Sequence, residues 1–194
     1  MKSLSNGGLI NLIELHHIIR NSREIFWIGG TDNSVTLSNG YILVTFSMPD
    51  DSPTYDVLAK RFNGRAPEGD EVLHSLKARK RFEISDVTHR RDALLRMFSE
   101  SYPYDLIDTG LTIDLPFGGD DIEKIRAYYT ECSHDRSYIF IAEKYHALVD
   151  KAAHAYALKV SHMSPIIFLS STEYNEALVV LPIRTLVPAF VEKL

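Results

Sequence analysis

The feature that most constrains this chain is a rhythm in its last third. Three short aliphatic runs, YALKVSH (156–162), PIIFLSS (165–171) and ALVVLPI (177–183), are separated by the turn-forming groups His162-Met-Ser-Pro165 and Ser171-Thr-Glu-Tyr-Asn175. A parallel crossover takes a dozen or more residues, so strands this closely spaced must form an antiparallel meander. The run SYIFIAEKYHALVDKAAHA (137–155) precedes them and reads as a short strand entering a helix over about 143–153.

The opening of the chain repeats the plan. LINLIELHHIIR (9–20) has apolar residues at helical spacing after the break Asn6-Gly-Gly. The β-rich runs EIFWIGG, NSVTLSNG and GYILVTFSM follow, with Asn39-Gly40 as a hairpin signal. PTYDVLAKRF (53–62) reads as a second helix opening on proline. Two copies of a helix plus a three-stranded meander predict an α+β fold built from duplicated helix-plus-antiparallel-sheet units. The expected units are residues 1–62 and 78–194, with 63–77 as linker or insertion; NGRAPEGD (63–70) clusters glycine, proline and charge.

The middle is less regular. RFEISDV (81–87) alternates like a strand, and RDALLRMF (91–98) has helical spacing. YDLIDTG and LTIDLPF read as a hairpin turned at Thr109-Gly110, and DDIEKIRAYYT (120–130) as a helix with acids at its start.

Composition excludes several classes. A 45% apolar and 24% charged chain of 194 residues can bury a core and is not wholly disordered. A formal charge of −5 gives no global attraction for nucleic acid or anionic membrane. One cysteine, Cys132, permits no internal disulfide. The N-terminus lacks a signal peptide's apolar core, and no apolar run approaches a membrane span. The expectation is a cytoplasmic protein without membrane partners.

The run from Tyr138 to Thr185 resembles the closing half of a bacterial DNA polymerase sliding-clamp (β-clamp) domain. There a strand leads to a Tyr-Leu-x-x-x-Leu helix, then to three strands ending in a Val-Met-Pro-Met-Arg-type terminus. Here the helix reads Lys144-Tyr-His-Ala-Leu-Val149 and the terminus Val179-Val-Leu-Pro-Ile-Arg184. Ser38-Asn-Gly-Tyr-Ile-Leu43 is similar to the clamp's Thr-Asp-Gly-His-Arg-Leu turn and strand, with Asn39 and Ile42 replacing its Asp and Arg. The combination also looks like single-domain clamp-like proteins of phages and prophages. Residues 63–130 match nothing in that pattern.

The resemblance implies a non-enzymatic accessory protein of DNA replication or repair, in a mobile element or its host. It implies that Val179, Val180, Leu181, Pro182, Ile183 and Arg184 line an apolar cleft for short peptide motifs of replication or repair proteins. The other reading of those residues is a buried strand that ends at its proline. The dense basic stretch Lys77, Arg79, Lys80, Arg81, Arg90 and Arg91 is either a contact for duplex DNA or a solvated charged face, since Glu83, Asp86 and Asp92 interleave with it. An oligomer of identical chains is a further expectation, and an oligomeric structural protein on the duplicated fold is a third reading of the function.

Other chemistry finds little support. His16 and His17 are adjacent, about 100° apart on a helix, and form no i, i+4 chelate. No histidine pair has ligand spacing to Cys132, and neither cofactor nor metal is expected. No nucleophile elbow, phosphate loop or dinucleotide fingerprint occurs. The rival function is a small metal-dependent nuclease or hydrolase using Asp120 and Asp121. Those carboxylates read better as a capping turn before the helix expected at 120–130.

Overall fold

In a computed structural model of the protein, the residues described are 9–29, 34–47, 53–79, 81–84, 104–116, 122–132, 135–149, 153–169 and 176–183. Helix α1 (Leu12–Asn21) starts where the Asn11 side chain accepts from the N–H groups of Ile13 and Glu14. It buries Leu15 and Ile19, one turn apart, and ends as the Ser22 amide and hydroxyl both return to the Ile18 carbonyl. Helix α2 (Pro53–Arg61) opens on proline and buries Thr54 and Leu58. Asn63 (φ 53°) and Gly64 (φ 76°) end it in the left-handed region, with Gly64 N–H bonded to the Ala59 carbonyl at 2.7 Å.

The strands are β1 (Glu24–Ile28), β2 (Ser34–Ser38), β3 (Ile42–Ser47), β4 (Val72–Leu76), β5 (Arg81–Ile84), β6 (Tyr104–Pro116), β7 (Ile122–Cys132), β8 (Asp135–Ala142), β9 (His154–Ala157), β10 (Ile166–Leu169) and β11 (Ala177–Val180). They form one sheet in the order β5-β4-β1-β2-β3-β11-β10-β9-β6-β7-β8. Every pairing in it is antiparallel. The seam at its centre joins β3 to β11, with Val180 opposite Ile42 and Ala177 opposite Thr45. The meander β1-β2-β3 therefore meets the meander β9-β10-β11 edge to edge. α1 directly precedes the first, and the one-turn helix α3 (Glu143–His146) lies in the connection before the second.

Strand alternation sorts the side chains onto two faces. Trp27, Leu37, Val44, Phe46, Phe168, Leu178 and Val180 join Leu15, Ile19 and Leu58 of the helices and Tyr145 of α3 in the main core. Ile28, Leu43, Val72, Ile167 and Val179 form a second buried cluster from the intervening positions. A third, of Ile125, Ala127, Tyr138 and Phe140, lies on β7 and β8. The fold is α+β, with sheet as its larger part.

Several expectations about local structure change. The hairpin at Thr109-Gly110 is a bulge inside the single long strand β6, where the pairing with β7 shifts between Asp108 and Thr112. Asp108 Oδ1 accepts from Gly110 N–H and Thr109 Oγ1 from Leu111 N–H, so the turn chemistry is present and serves a kink. Of residues 120–130, expected as helix, 122–130 belong to strand β7 (Ile122–Cys132), hydrogen-bonded on one side to β6 and on the other to β8. The helix expected over about 143–153 stops after one turn, because the Leu148 carbonyl accepts from Asn11 N–H at 2.8 Å and Val149 bridges to Ile10. Within the expected linker 63–77, Val72–Leu76 is β4, paired along its length with β1. The helix expected at 91–98 lies outside the described residues.

Candidate peptide-binding edge

Pro182 sits where the chain changes partners. β11 ends at Val180, and Leu181 N–H makes its next bond to the Tyr41 carbonyl at 2.8 Å. Two residues on, Ile183 N–H donates to the Phe140 carbonyl of β8 at 2.7 Å. The residue between these anchors needs no donor, and proline has none to leave unpaired.

Burial changes with the partner. Val179 and Val180 are inside the sheet at 2% and 0% exposure, whereas Leu181 is 41% exposed. Pro182 and Ile183 are half-buried, and Ile183 packs against both the main core and the β7–β8 cluster. Arg184 lies outside the described residues. Of the six residues expected to line a cleft, Leu181, Pro182 and Ile183 present surface, while Val180 is buried in the main core and Val179 in the second cluster.

The turn between β2 and β3 completes this edge. Asn39 Oδ1 accepts from the amides of Tyr41 and Ile42, and Gly40 takes φ 87°. This geometry leaves the Tyr41 ring 64% exposed and stacked on the Tyr145 ring at 6.5 Å. The buried Asn39 amide donates to Tyr145 Oη at 3.5 Å and to Ser22 Oγ at 3.2 Å. Burial raises the Tyr145 phenol above its usual value. Ser38–Leu43 and Val179–Ile183, far apart in sequence, are thus neighbours.

Each residue of α3 is tied down. Glu143 accepts from Arg126 Nη1 at 3.2 Å, and Lys144 Nζ pairs with Glu123 Oε1 at 2.9 Å. Tyr145 meets Asn39 and Tyr41, and His146 Nδ1 lies 2.6 Å from Tyr128 Oη. Arg126 also grips Asp108 with Nε and Nη2, the shortest contact being 2.7 Å. Partial burial works to raise the Asp108 carboxyl, but its bonds from Arg126 and Gly110 outweigh that and hold it below its ordinary value.

The basic stretch is divided. Lys77 and Arg79 bound a single 3-10 turn after β4, with Lys77 exposed and its amide bonded to the Arg23 carbonyl at 2.8 Å. Arg81 opens β5 opposite Leu76. Lys80, Arg90 and Arg91 lie outside the described residues, as do Asp120 and Asp121. The helix those two acids were expected to cap is strand β7. The His16 and His17 rings meet edge-on at 5.8 Å. Among the described residues, no group of three His, Cys, Asp or Glu side chains is placed to hold a metal ion. No helix among them is long and apolar enough to cross a membrane.

Sequence reasoning missed the roles of Tyr145 and Arg61. The Arg61 guanidinium, at the end of α2, donates to the Ile19 carbonyl at 2.7 Å and the Ser22 carbonyl at 3.0 Å. It thereby closes the C-terminus of α1 from another element. Neither residue carries a local signal, since both partners are distant in sequence.

No protein-family model matches the chain, and no curated protein does. Among solved structures it is similar to the DNA polymerase sliding clamp from Pseudomonas aeruginosa, with a TM-score of 0.37 and 13% identity. It is also similar to the DNA polymerase III beta subunit from Thermotoga maritima, with a TM-score of 0.35 and 14% identity. Each likeness covers 92% of this chain and 66% of the other, so the chain spans just under two thirds of the length of either.

Proposed function

We propose that this protein is a non-enzymatic, clamp-like accessory factor of DNA replication or repair, from a mobile element or its host, that takes up short peptide motifs of its protein partners. The observation that supports this reading most is the contact between Ser38–Leu43 and Val179–Ile183. These are the two stretches whose sequences resemble clamp motifs, and they meet at the β3–β11 seam with Tyr41 and Leu181 exposed beside each other's backbone. Exposed apolar side chains beside a strand end suit a peptide that seats a leucine or phenylalanine against them. The two meanders joined at that seam, each preceded by a helix, support a duplicated unit within one clamp-like domain. Duplex DNA belongs to the same reading as a second partner, at the stretch that begins with Lys77. So does assembly of identical chains, since β5 and β8 each have one strand neighbour among the described residues.

The test is fluorescence anisotropy with a labelled peptide carrying a glutamine and spaced leucine and phenylalanine anchors. Binding is expected in the micromolar range or weaker, as a short peptide loses ordering entropy on docking. Leu181→Asp and Tyr41→Ala should each weaken it at least tenfold while circular dichroism stays unchanged. Equal binding by both variants overturns the assignment. The DNA arm predicts binding to a short duplex that falls steeply with salt and falls further when Arg79, Lys80 and Arg81 are neutralised.

A further inference from the structure

We propose that Glu24 sets the charge preference of this edge: its carboxylate takes a lysine or arginine standing about four residues from the apolar anchor that is seated on Leu181. This role presupposes the peptide-site reading and adds to it the class of residue that the partner carries beside its anchor.

Strand alternation puts Glu24 and Leu181 on one face of the sheet. Glu24 precedes Phe26 and Ile28 by two and four residues, and Leu181 follows Val179 by two. Ile28 and Val179 belong to the second buried cluster, with Phe26 packed against it. Leu181 is still in the ladder, because its amide bonds the Tyr41 carbonyl one step beyond the Val180–Ile42 pair. Both residues stand where that buried face meets solvent: Leu181 and the Glu24 side chain are each 41% exposed.

The Glu24 carboxylate leans on the tip of the β2–β3 hairpin. Its Oε1 lies 3.8 Å from the place a Cβ on Gly40 would take. Gly40 has no side chain, so none of its own stands between that oxygen and the neighbouring Tyr41. The other oxygen, Oε2, meets His74 Nε2 at 3.3 Å. The imidazole is held flat on the Phe26 ring, with centroids 4.2 Å apart and planes within 6°. His74 is the charged contact of Glu24 among the described residues. Histidine is not a permanent cation as lysine and arginine are, so the carboxylate keeps an attraction for one of those.

Sheet geometry sets the spacing. Three strand intervals separate β1 from β11, across β2 and β3, which is about 14 Å. An extended peptide rises about 3.3 Å per residue, so about four residues span that distance. Water screens a pair this exposed, so it tunes the choice of partner and does not carry the binding.

Fluorescence anisotropy with a set of labelled peptides decides this. All keep the same apolar anchors, and arginine, serine or glutamate stands four residues before the first anchor or four after the last. On one of the two sides, the wild type should bind the arginine peptide about two- to fivefold tighter than the serine peptide, and the glutamate peptide more weakly still. The preference should fade as salt rises and when the arginine is moved next to the anchor. Glu24→Gln, which can still bond His74, should bring the arginine-to-serine ratio close to unity with unchanged circular dichroism. Glu24→Lys should make the glutamate peptide the tighter one. A general attraction of a chain of charge −5 for basic peptides would depend on neither residue 24 nor the position of the arginine. An undiminished arginine preference in Glu24→Gln overturns this role, as does a wild type that binds the serine peptide and shows no preference; both leave the peptide site standing. If no peptide of the set binds the wild type, the peptide-site reading fails and the role of Glu24 falls with it.

Discussion

Leu181 gives its amide hydrogen to the carbonyl of Tyr41 at 2.8 Å, the last bond before the chain leaves β3 for β8. Pro182 fills the step between, and its fixed φ limits how far the unfolded chain can wander there. Pro182→Ala should keep the fold and lower stability by about 0.5–1 kcal/mol, chiefly through the unfolded state. A thermal melt should show a drop of about 1–4 °C, and a larger loss would mean the ring itself packs in the native protein.

Arg61 ties two helices with one guanidinium, bonding the carbonyls of Ile19 and Ser22 and, through Nε, the hydroxyl of Ser75 at 3.3 Å. Arg61→Leu leaves these acceptors without their donor and should cost about 2–4 kcal/mol, read as a lower urea midpoint. Arg61→Lys should recover less than half of that, because an ammonium lacks the fork that reaches all three partners.

Two glycines separate crowding from backbone strain. A Cβ on Gly29 would stand 2.3 Å from the Gly69 carbonyl oxygen and 3.1 Å from that of Glu71, both fixed backbone. At Gly110, in the β6 bulge, φ is +71° and nothing lies within 4 Å of the added atom. Gly110→Ala should therefore cost only about 1–2 kcal/mol of left-handed strain. Gly29→Ala should cost more, since strand β1 must move away from the 69–71 turn. The reverse order in denaturation midpoints would refute this reading.

The Asp108–Arg126 pair makes stability depend on pH in a stated direction. Its carboxyl is lowered in the folded protein, so the contribution is present above the unfolded carboxylate value, about 3.9, and is lost as pH falls through the folded value. Asp108 is a third exposed, so water screens the pair and the gain at neutral pH is about 0.5–1 kcal/mol. Asp108→Asn should be less stable than wild type at pH 7, and the deficit should shrink as pH falls through and below the folded value. A deficit that persists in acid would point to lost packing instead.

The two meanders were legible because their strands are short, apolar and divided by turn residues, so local signals suffice. β6 and β7 were not. Asp108, Thr109 and Gly110 make the same side-chain bonds to backbone that a hairpin turn would use, and only the distant pairing with β7 shows a bulge. In β7 the acids near 120–123 imitate a helix start, while the strand is settled by neighbours on both sides. At the site, the proline announced the end of a strand. That Tyr41 and Phe140 receive the amides on either side of it depends on tertiary contacts that no local pattern encodes.

The β3–β11 seam has a consequence for how the protein is made. Synthesis delivers β3 early and β11 late, so for most of translation β3, interior to the finished sheet, is an edge without its second partner. Ile42, Leu43, Val44 and Phe46 make that edge strongly apolar, and all four are buried in the finished fold. Such an edge invites pairing with other nascent chains until its own partner emerges. Closing the seam also requires a long loop, which slows folding. Yield on overexpression should therefore depend more on chaperone supply and temperature than the equilibrium stability of the finished sheet would suggest.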